Sequence, residues 1–521
     1  MKKAIYILSM GLLLVCFSCG ENFLERENPN AQTTGTFWQT GDDALMGINA
    51  AYQSLTMDGL YMRLYPWIMD ERADDIYNTS PWWIEWVVIY VAQPDNPCYF
   101  TPYYIVFEGV WRTNQVLGHV PDIDMDPALK KRIIAEAKFL RALYYYHGTI
   151  LFKDIPLILK EPETAEDFYP KQASSEEIWQ QIYKDFSEAM VDLPTKQQYP
   201  ASDMGRATKG AAAGFLAKSY MFNHEWDLAE PILKGLIDQQ YGSYSLVANY
   251  RDNFTVANEN NSESLFEIQF SKSVGGTTLG WVGEPASDWS KTSGKARTYA
   301  PLGFGWGDVT PTDWIFNEYQ QDSALSGGPD PRLRANFLYD YPGSTVYGVP
   351  WASAGLIQQS GNTMNIHLRK YLNDDTDPDE VEWRSGINER ILRYADILLL
   401  YAECLNEQGR TDEAYQYIQM VRDRADLPDL ATKKPNMTQQ EMRMQISHER
   451  AVELCFEGQR YVDLLRWGWM DATKGPNPML DELITHDSEL AGLYTTPGRE
   501  YMAIPQRELD VNPNMKQNPY W

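Results

Sequence analysis

A repeated pair of amphipathic helices is the feature that most constrains how this chain folds. Apolar residues at helical spacing predict helices over 207–223 and 226–237, and again over 391–407 and 411–425. Matching positions of the two copies lie 185 residues apart: Leu216, Ala217, Tyr220, Ala229 and Leu233 in the first copy, and Tyr401, Ala402, Leu405, Ala414 and Ile418 in the second. Alanines flanked by bulky side chains let antiparallel helices approach closely, as in tetratricopeptide repeats. The pattern therefore predicts a scaffold of helix pairs.

Further helices are predicted on both sides of these pairs. Their ranges are 42–55, 103–117, 127–152, 175–191 and 438–456. Residues that favour helix starts support several of them: Asp42 or Asp43 as a cap, Pro127 in a first turn, Ser175 as a cap, and Thr438 with Glu441 three residues on. The chain is therefore predicted to be mainly α-helical.

Between the two repeated pairs, the composition changes. Residues 241–387 are rich in Gly, Pro, Ser, Asn and Trp and lack helical periodicity, and 265–270 has the pattern of a strand. Long loops on a rigid scaffold commonly carry binding sites. We therefore predict a mainly α fold in which a tetratricopeptide-like helix-pair scaffold supports a loop-rich irregular region carrying short strands. No clean linker divides 41–521, so it is predicted to be a single body made of a scaffold at 41–240 and 388–470, a loop-rich ligand side at 241–387 and a C-terminal segment at 471–521.

The N-terminus predicts export and lipidation. Two lysines precede an apolar run of 14 residues, 4–17, which is too short to span a bilayer and is typical of a cleaved signal. A small residue then precedes Cys19, so 1–18 is predicted to be a lipoprotein signal peptide and Cys19 the lipidated residue. Such signals usually have Leu three positions before the cysteine, where this chain has Cys16. Residues 19–40 are predicted to be an extended tether, and a plain secreted protein is the alternative.

Composition bears on partners and on cysteine chemistry. The formal net charge is −27 and no basic run is present, so nucleic acid is not expected as a partner. Cys98, Cys404 and Cys455 are an odd, scattered set that does not indicate a disulfide framework, and the last two are expected to be buried thiols. The 17 Trp and 33 Tyr are more than core packing usually needs, which favours a surface that binds something.

The C-terminal third contains closely spaced charged motifs. They are ILRYADILLLYAE at 391–403, VRDRA at 421–425, HER at 448–450, ELCFEG at 453–458, RYVDL at 460–464 and RWG at 466–468. The chain ends with QNPYW at 517–521, and Phe23-Leu24-Glu25 and Phe37-Trp38 follow the predicted lipidated cysteine. This combination resembles the SusD/RagB family, and the resemblance extends over essentially the whole chain.

The resemblance implies a fold of four tetratricopeptide-like helix pairs and a function in nutrient capture. Such proteins bind a nutrient, here expected to be a glycan, at the cell surface and pass it to a SusC-type TonB-dependent outer-membrane transporter, over which they sit as a lid. It implies an outer-membrane lipoprotein that is surface-exposed and held by its lipid anchor only. No catalytic residue, metal or cofactor is expected. Glu449, Arg450, Arg460 and Asp463 in the motifs are interpreted as structural ion pairs.

The resemblance also gives the location of a ligand site. Members of this family hold glycans on aromatic side chains, because flat rings match the apolar faces of sugars. Two loop segments of this chain have that composition. The candidate ligand-binding residues are Asp74, Trp82, Trp83 and Trp86 in the first segment, and Trp281, Trp289, Tyr299 and Trp306 in the second. No residue motif within the loops identifies which of them contact ligand.

The sequence lacks the enzyme signatures that short motifs reveal. None of the six His forms an H-E-x-x-H pair, no G-x-S-x-G elbow is present, and GFGWG at 303–307 lacks the context of a phosphate loop. The acidic run 374–380 does not fit an EF-hand loop and is interpreted as a solvated turn. Three alternatives stay open: capture of peptides or another nutrient, a surface glycoside hydrolase with paired carboxylates, and a structural lid without ligand affinity.

Overall fold

The computed structural model describes residues 34–82, 84, 87, 92–274, 292–359, 362–375, 385–470, 499–519 and 521. The longer helices are α1 (Gly41–Leu55), α2 (Leu64–Glu71), α3 (Pro97–His119), α4 (Pro127–Phe152), α5 (Ser175–Asp192), α6 (Lys209–Phe222), α7 (Trp226–Ile237), α8 (Tyr394–Glu407), α9 (Thr411–Arg424), α10 (Gln439–Leu454) and α11 (Gln459–Arg466). Short helices lie at Thr34–Phe37, Lys295–Tyr299, Asp313–Glu318, Arg332–Asn336, Trp351–Ala354, Leu430–Lys433 and Gln506–Val511, and a π-helical turn at Asp58–Met62. Single 3-10 turns lie at Val120–Asp122, Ala165–Phe168, Lys196–Gln198, Ala201–Asp203, Tyr250–Phe254, Val256–Asn258 and Lys272–Val274.

The described residues form four two-stranded antiparallel sheets. Their strands are β1 (Ile76–Asn78), β2 (Ser264–Ile268), β3 (Val309–Pro311), β4 (Phe337–Leu338), β5 (Thr345–Val346), β6 (Val349–Pro350), β7 (His367–Leu368) and β8 (Glu389–Arg393). The pairs are β1 with β3, β2 with β8, β4 with β7 and β5 with β6. The prediction of a mainly α fold with short strands in the loop-rich region is confirmed.

Successive helices pack against one another along the chain. Helix α3 packs on α4, α4 on α5, α5 on α6, and α6 on α7, while α1 contacts both α3 and α4. After the loop-rich region, α8 packs on α7 and then on α9. The two repeated pairs, α6 with α7 and α8 with α9, are therefore neighbours in space although 156 residues separate α7 from α8 along the chain. The loop-rich region is an insertion into a continuous helical stack.

Helix starts follow the capping chemistry of the sequence, with small corrections. Helix α10 begins after Thr438, whose side chain forms the predicted capping box with Glu441. The cap of α1 is Thr40 rather than Asp42 or Asp43. For α5 the cap is Ser174 rather than Ser175. In both corrected cases the carboxylate three positions after the cap accepts a hydrogen bond from the backbone amide of the cap, which selects the earlier residue.

Two predicted helix boundaries are wrong for identifiable reasons. Helix α3 starts at Pro97 rather than at residue 103, because the Asn96 side chain caps it and proline is well suited to its first turn. Helix α8 starts at Tyr394 rather than at residue 391, because residues through Arg393 are extended in β8 and pair with β2. Strand pairing there overrides the local helical periodicity.

The cysteines follow the sequence prediction. Cys98, Cys404 and Cys455 are all free and buried. Burial raises the pKa of the Cys404 thiol and of the Cys455 thiol to about 12 in each case. Both thiols are therefore protonated core groups at neutral pH.

Candidate ligand-binding site

The charged residues of the C-terminal motifs lie inside the protein. The Arg450 guanidinium donates to Asp396 and to Asp463, and each hydrogen bond is 2.7 Å long. Glu449 accepts from Arg422 at 2.6 Å, and the two partners are buried. These pairs join helices α8, α9, α10 and α11 and orient them relative to one another. Their interpretation as structural ion pairs is consistent with this arrangement.

Glu453 is the centre of the largest group of such pairs. It accepts hydrogen bonds from Arg332 at 3.1 Å, from Arg393 at 3.1 Å and from Arg424 at 2.6 Å. Burial acts to raise the pKa of Glu453, but the positive charges of Arg424, Arg393 and Arg332 lower it to about 2. The group joins α10 to β8, α9 and the loop-rich region, so it fixes the insertion on the scaffold.

Two of the predicted ligand residues are engaged within the fold. Tyr299 is 1% exposed, and its hydroxyl donates to Asp70 at 2.7 Å. Burial and the Asp70 charge raise the pKa of Tyr299 well above its usual value. Asp74 accepts two hydrogen bonds from Arg460, at 2.7 and 2.8 Å. In this conformation Tyr299 presents no ring face to solvent, and a ligand contact for either residue stays a prediction.

The β1–β3 sheet brings the Trp82 segment and the Trp306 segment together. Asn78 at the end of β1 pairs with Val309 at the start of β3. Just beyond the sheet, the Thr79 amide donates to the Asp308 carbonyl at 2.8 Å, and the Thr79 hydroxyl donates to the Gly307 carbonyl at 2.5 Å. Trp82 follows Thr79 by three residues and is 50% exposed. Trp306 directly precedes Gly307 and is half-buried.

A β-hairpin adds a third aromatic side chain to this region. Strands β5 and β6 are joined by Tyr347 and Gly348, which both have positive φ, 48° and 78°. Two positive φ values in a two-residue loop are typical of the turn that best fits the twist of a hairpin. The turn holds the half-buried Tyr347 ring parallel to Phe304, with centroids 5.5 Å apart and planes 10° apart. We call Trp82, Phe304, Trp306 and Tyr347 the aromatic face.

Polar groups lie among these rings. The Arg297 guanidinium is 6.0 Å from the centroid of Trp306 and donates to the Phe304 carbonyl at 3.3 Å. The Gln359 side chain donates to the Gly307 carbonyl at 2.8 Å. Directly after Gly307, burial raises the pKa of Asp308 to about 6. Partly exposed rings with a few hydrogen-bonding groups between them suit a ligand that has both apolar faces and hydroxyl groups.

Some of these residues were not among the sequence candidates. No motif in the sequence marks Tyr347 or Gln359. A compositional signal was present, since 339–351 contains four aromatic residues among glycines and prolines. Their position at the Trp306 turn depends on hairpin and loop geometry, which periodicity does not show.

Several predictions fall outside the described residues. These are the lipidation of Cys19 and the ligand contacts of Trp83, Trp86, Trp281 and Trp289. They stay predictions.

The acidic run at 374–380 is not a solvated turn at its start. Asp374 is buried and accepts from Arg369 at 3.0 Å and from Arg251 at 3.4 Å. Asp375 accepts from the same two arginines, at 3.0 and 2.9 Å. The carboxylates are neutralised by arginine charges that lie five or more residues away in sequence, so the acidic run alone did not reveal them. The remainder of the run, 376–380, lies outside the described residues.

Within the portion of the chain that the structure describes, no helix combines the length and apolar character needed to cross a membrane.

Comparisons with known proteins agree with this architecture. The family model described as "SusD family" matches residues 262–521, and the one described as "Starch-binding associating with outer membrane" matches residues 22–221. SusD-like protein P25 of Formosa agariphila is 27% identical, with 98% of each chain covered. A SusD superfamily protein from Bacteroides vulgatus has a solved structure with 27% identity and a TM-score of 0.80, covering 93% of this chain and 100% of that chain. A solved laminarin binding SusD-like protein, 23% identical, shares the fold with a TM-score of 0.75 over 93% of this chain and 100% of its own. Two family models that together match most of the chain, and a shared fold along its length, show that this protein belongs to the SusD/RagB family.

Proposed function

We propose that this protein binds a glycan at the cell surface without cleaving it and delivers it to a SusC-type TonB-dependent outer-membrane transporter. The observation that carries the proposal is the aromatic face, where Trp82 is half exposed, Trp306 is half-buried and the Phe304 and Tyr347 rings are stacked on each other. Support comes from the family description, which names starch binding and association with the outer membrane. A protein of the same fold is described as laminarin binding.

The chemistry of the aromatic face suits a sugar chain. Pyranose rings have apolar C–H faces that stack on indole and phenol rings, and hydroxyl groups at their edges. The Arg297 guanidinium and the Gln359 amide lie beside Trp306 and Gly307, where they can hydrogen-bond such hydroxyls. The hairpin turn holds the Tyr347 ring against Phe304, so the two rings are positioned before ligand binds.

The decisive experiment measures binding of the purified, unlipidated protein to starch, laminarin, xylan, mannan and a peptide digest. Affinity gels and calorimetry are run on wild type, Trp82→Ala and Trp306→Ala. We expect one glycan class to bind, and each variant to bind it at least about tenfold more weakly, as for aromatic residues that dominate an interface. Trp111→Ala is the matched control, because Trp111 on α3 is similarly exposed at 48%.

Three outcomes contradict the proposal. Binding to peptides alone indicates capture of another nutrient, and release of reducing ends from the bound glycan indicates a hydrolase. Unchanged glycan binding in both tryptophan variants places the site away from the aromatic face. Trp82→Ala and Trp111→Ala should unfold at the wild-type denaturant concentration, because both side chains are solvent-exposed.

Attachment and partnership are tested in cells. Lipidation at Cys19 predicts that Cys19→Ala leaves the protein out of the outer-membrane fraction and unlabelled by a fatty-acid probe. Delivery predicts that the lipidated wild type co-purifies with a SusC-type transporter. Growth on the bound glycan should then depend on both proteins.

A further inference from the structure

A cleft lies between the scaffold and the loop-rich region and shares no lining residue with the aromatic face. It has a volume of about 680 Å³ and opens between helix α10, the short helix Asp313–Glu318 and the segment 434–437. That volume lies within the range of about 300–1,000 Å³ that is typical of small-molecule sites. Asp74, one of the predicted ligand residues, lies in its lining.

The floor of the cleft is a buried ion pair. Arg460 donates to both carboxylate oxygens of Asp74, at 2.7 and 2.8 Å, and to the Ser447 hydroxyl at 2.9 Å. The side chains of Asp74 and Arg460 are each 6% exposed. The pair is therefore held rigidly, and its charges cancel. Each carboxylate oxygen accepts only one of these bonds and has a further lone pair available.

The walls of the cleft are aromatic and its rim is polar. The Arg460 guanidinium lies over Trp314, 5.1 Å from the centroid of the indole ring. The ring centroids of Trp469 and Trp467 are 4.8 Å apart. Both Trp314 and Trp469 line the cleft and are half-buried. At the rim His448 contacts Glu318 at 2.6 Å, and Lys434 donates to Gln445 at 2.7 Å. The charged groups at the floor and the rim are thus arranged beside neutralising or polar partners.

We propose that this cleft is a second saccharide site, which holds a short segment of a neutral oligosaccharide. The inference rests on the proposed function, because it extends glycan binding to a second place on the same protein. Two indoles provide surfaces for sugar rings. A neutral, hydroxyl-bearing ligand adds hydrogen bonds to the existing pairs, whereas a charged ligand must compete with Arg460 for Asp74 or with His448 for Glu318.

Binding of trisaccharides by calorimetry tests the proposal, because such short ligands do not link distant sites. The probes are maltotriose, laminaritriose, cellotriose, xylotriose and mannotriose. The proteins are wild type, an aromatic-face variant (Trp82→Ala with Trp306→Ala), Trp314→Ala and Met444→Arg. Met444 is 39% exposed at the cleft, so the arginine fills the cleft without disturbing the core. Met46→Arg on α1 is the matched control, since Met46 is 49% exposed.

We expect wild type to bind two trisaccharide molecules, and the aromatic-face variant to bind one. Trp314→Ala and Met444→Arg should each remove the second site, weakening it at least about tenfold, while Met46→Arg should not. If wild type has a single binding site that is lost in the aromatic-face variant and unaffected by Met444→Arg, the second site is overturned and the proposed function is left intact. No binding of any saccharide to wild type overturns both. A single site that is lost only in Met444→Arg and Trp314→Ala supports the cleft and overturns the aromatic face as the binding surface.

Discussion

Arg393 in the motif region is 1% exposed, whereas Trp82 beside the loop-rich region is 50% exposed. Arginine is usually at the surface and tryptophan is usually mostly buried, so both residues are in unusual positions. Arg393 is neutralised by Glu457 at 2.7 Å and by Glu453 at 3.1 Å. Trp82 lies beside the Trp306 turn, on the proposed ligand surface. The two unusual positions have different causes. Buried Arg393 fixes the fold, whereas exposed Trp82 is proposed to serve ligand binding.

The same contrast appears in two buried carboxyl groups. Glu453 has three arginine neighbours, and its pKa is about 2. Asp308 follows Trp306 by two residues, and burial raises its pKa to about 6 against weaker lowering effects of Ser80 and Arg63. The buried charge of Glu453 is therefore compensated by its arginine partners, whereas that of Asp308 is compensated less fully.

The largest effect is expected from breaking the charge cluster at Glu453. Glu453→Gln leaves Arg332, Arg393 and Arg424 with one negative charge fewer inside the protein. Loss of one member of a buried pair costs about 3–5 kcal/mol of the free energy of unfolding. Urea denaturation measures this loss.

The matched control for that experiment is Glu413→Gln. Glu413 is paired with Arg410 at 2.8 Å, but its side chain is 56% exposed. We expect no measurable change in its denaturation midpoint, because exposed pairs contribute little. Equal stability of Glu453→Gln and Glu413→Gln contradicts a structural role for the motif charges.

The two carboxyls should give opposite pH dependence. Asp308 has its pKa raised from 3.8 to about 6, so its contribution to stability is present below about pH 4 and is lost as pH rises through about 6. Asp308→Asn removes that loss, so its stability relative to wild type should increase by about 2–3 kcal/mol between about pH 4 and 7. Denaturation curves at several pH values measure the difference.

Glu453 provides the comparison of opposite sign. Its pKa is lowered from 4.5 to about 2, so its contribution is present above about pH 4.5 and is lost as pH falls through about 2. The difference in free energy of unfolding between wild type and Glu453→Gln should therefore become smaller as the pH is lowered toward 2. A parallel pH profile for wild type and Asp308→Asn shows instead that Asp308 is compensated in the folded protein.

Much of the scaffold could be predicted from the sequence because its signals are local. Helix α4 begins and ends where its periodicity and Pro127 indicated, and α7 does the same. Thr438 and Glu441 gave the start of α10. The start of α8 could not be predicted, because its preceding residues pair with β2, more than 120 residues earlier in the chain.

The candidate site could be predicted only in part, because it depends on contacts between distant segments. The composition pointed to Trp82 and Trp306, but their approach results from the pairing of Asn78 with Val309. Tyr347 reaches Phe304 only through a hairpin turn with two positive φ values. Nothing local in the sequence reveals that Arg460 engages Asp74 or that Tyr299 donates to Asp70.

The smallest of these effects is expected from the packing of the helical stack, and two glycines of α3 allow a matched test. A Cβ at Gly109 would lie 2.3 Å from the Tyr144 ring of α4, whereas a Cβ at Gly118 would have its nearest neighbour at 3.7 Å. Tyr144 is buried and its hydroxyl donates to the Ala51 carbonyl, so the ring has no free space into which to move. We expect Gly109→Ala to lower the free energy of unfolding by about 1–3 kcal/mol, and Gly118→Ala to leave it unchanged or raise it by up to about 1 kcal/mol. If the two variants are equally stable, α3 and α4 do not approach closely at Gly109, and the inward-facing side chains of the scaffold are then as tolerant of change as the exposed rings of the aromatic face.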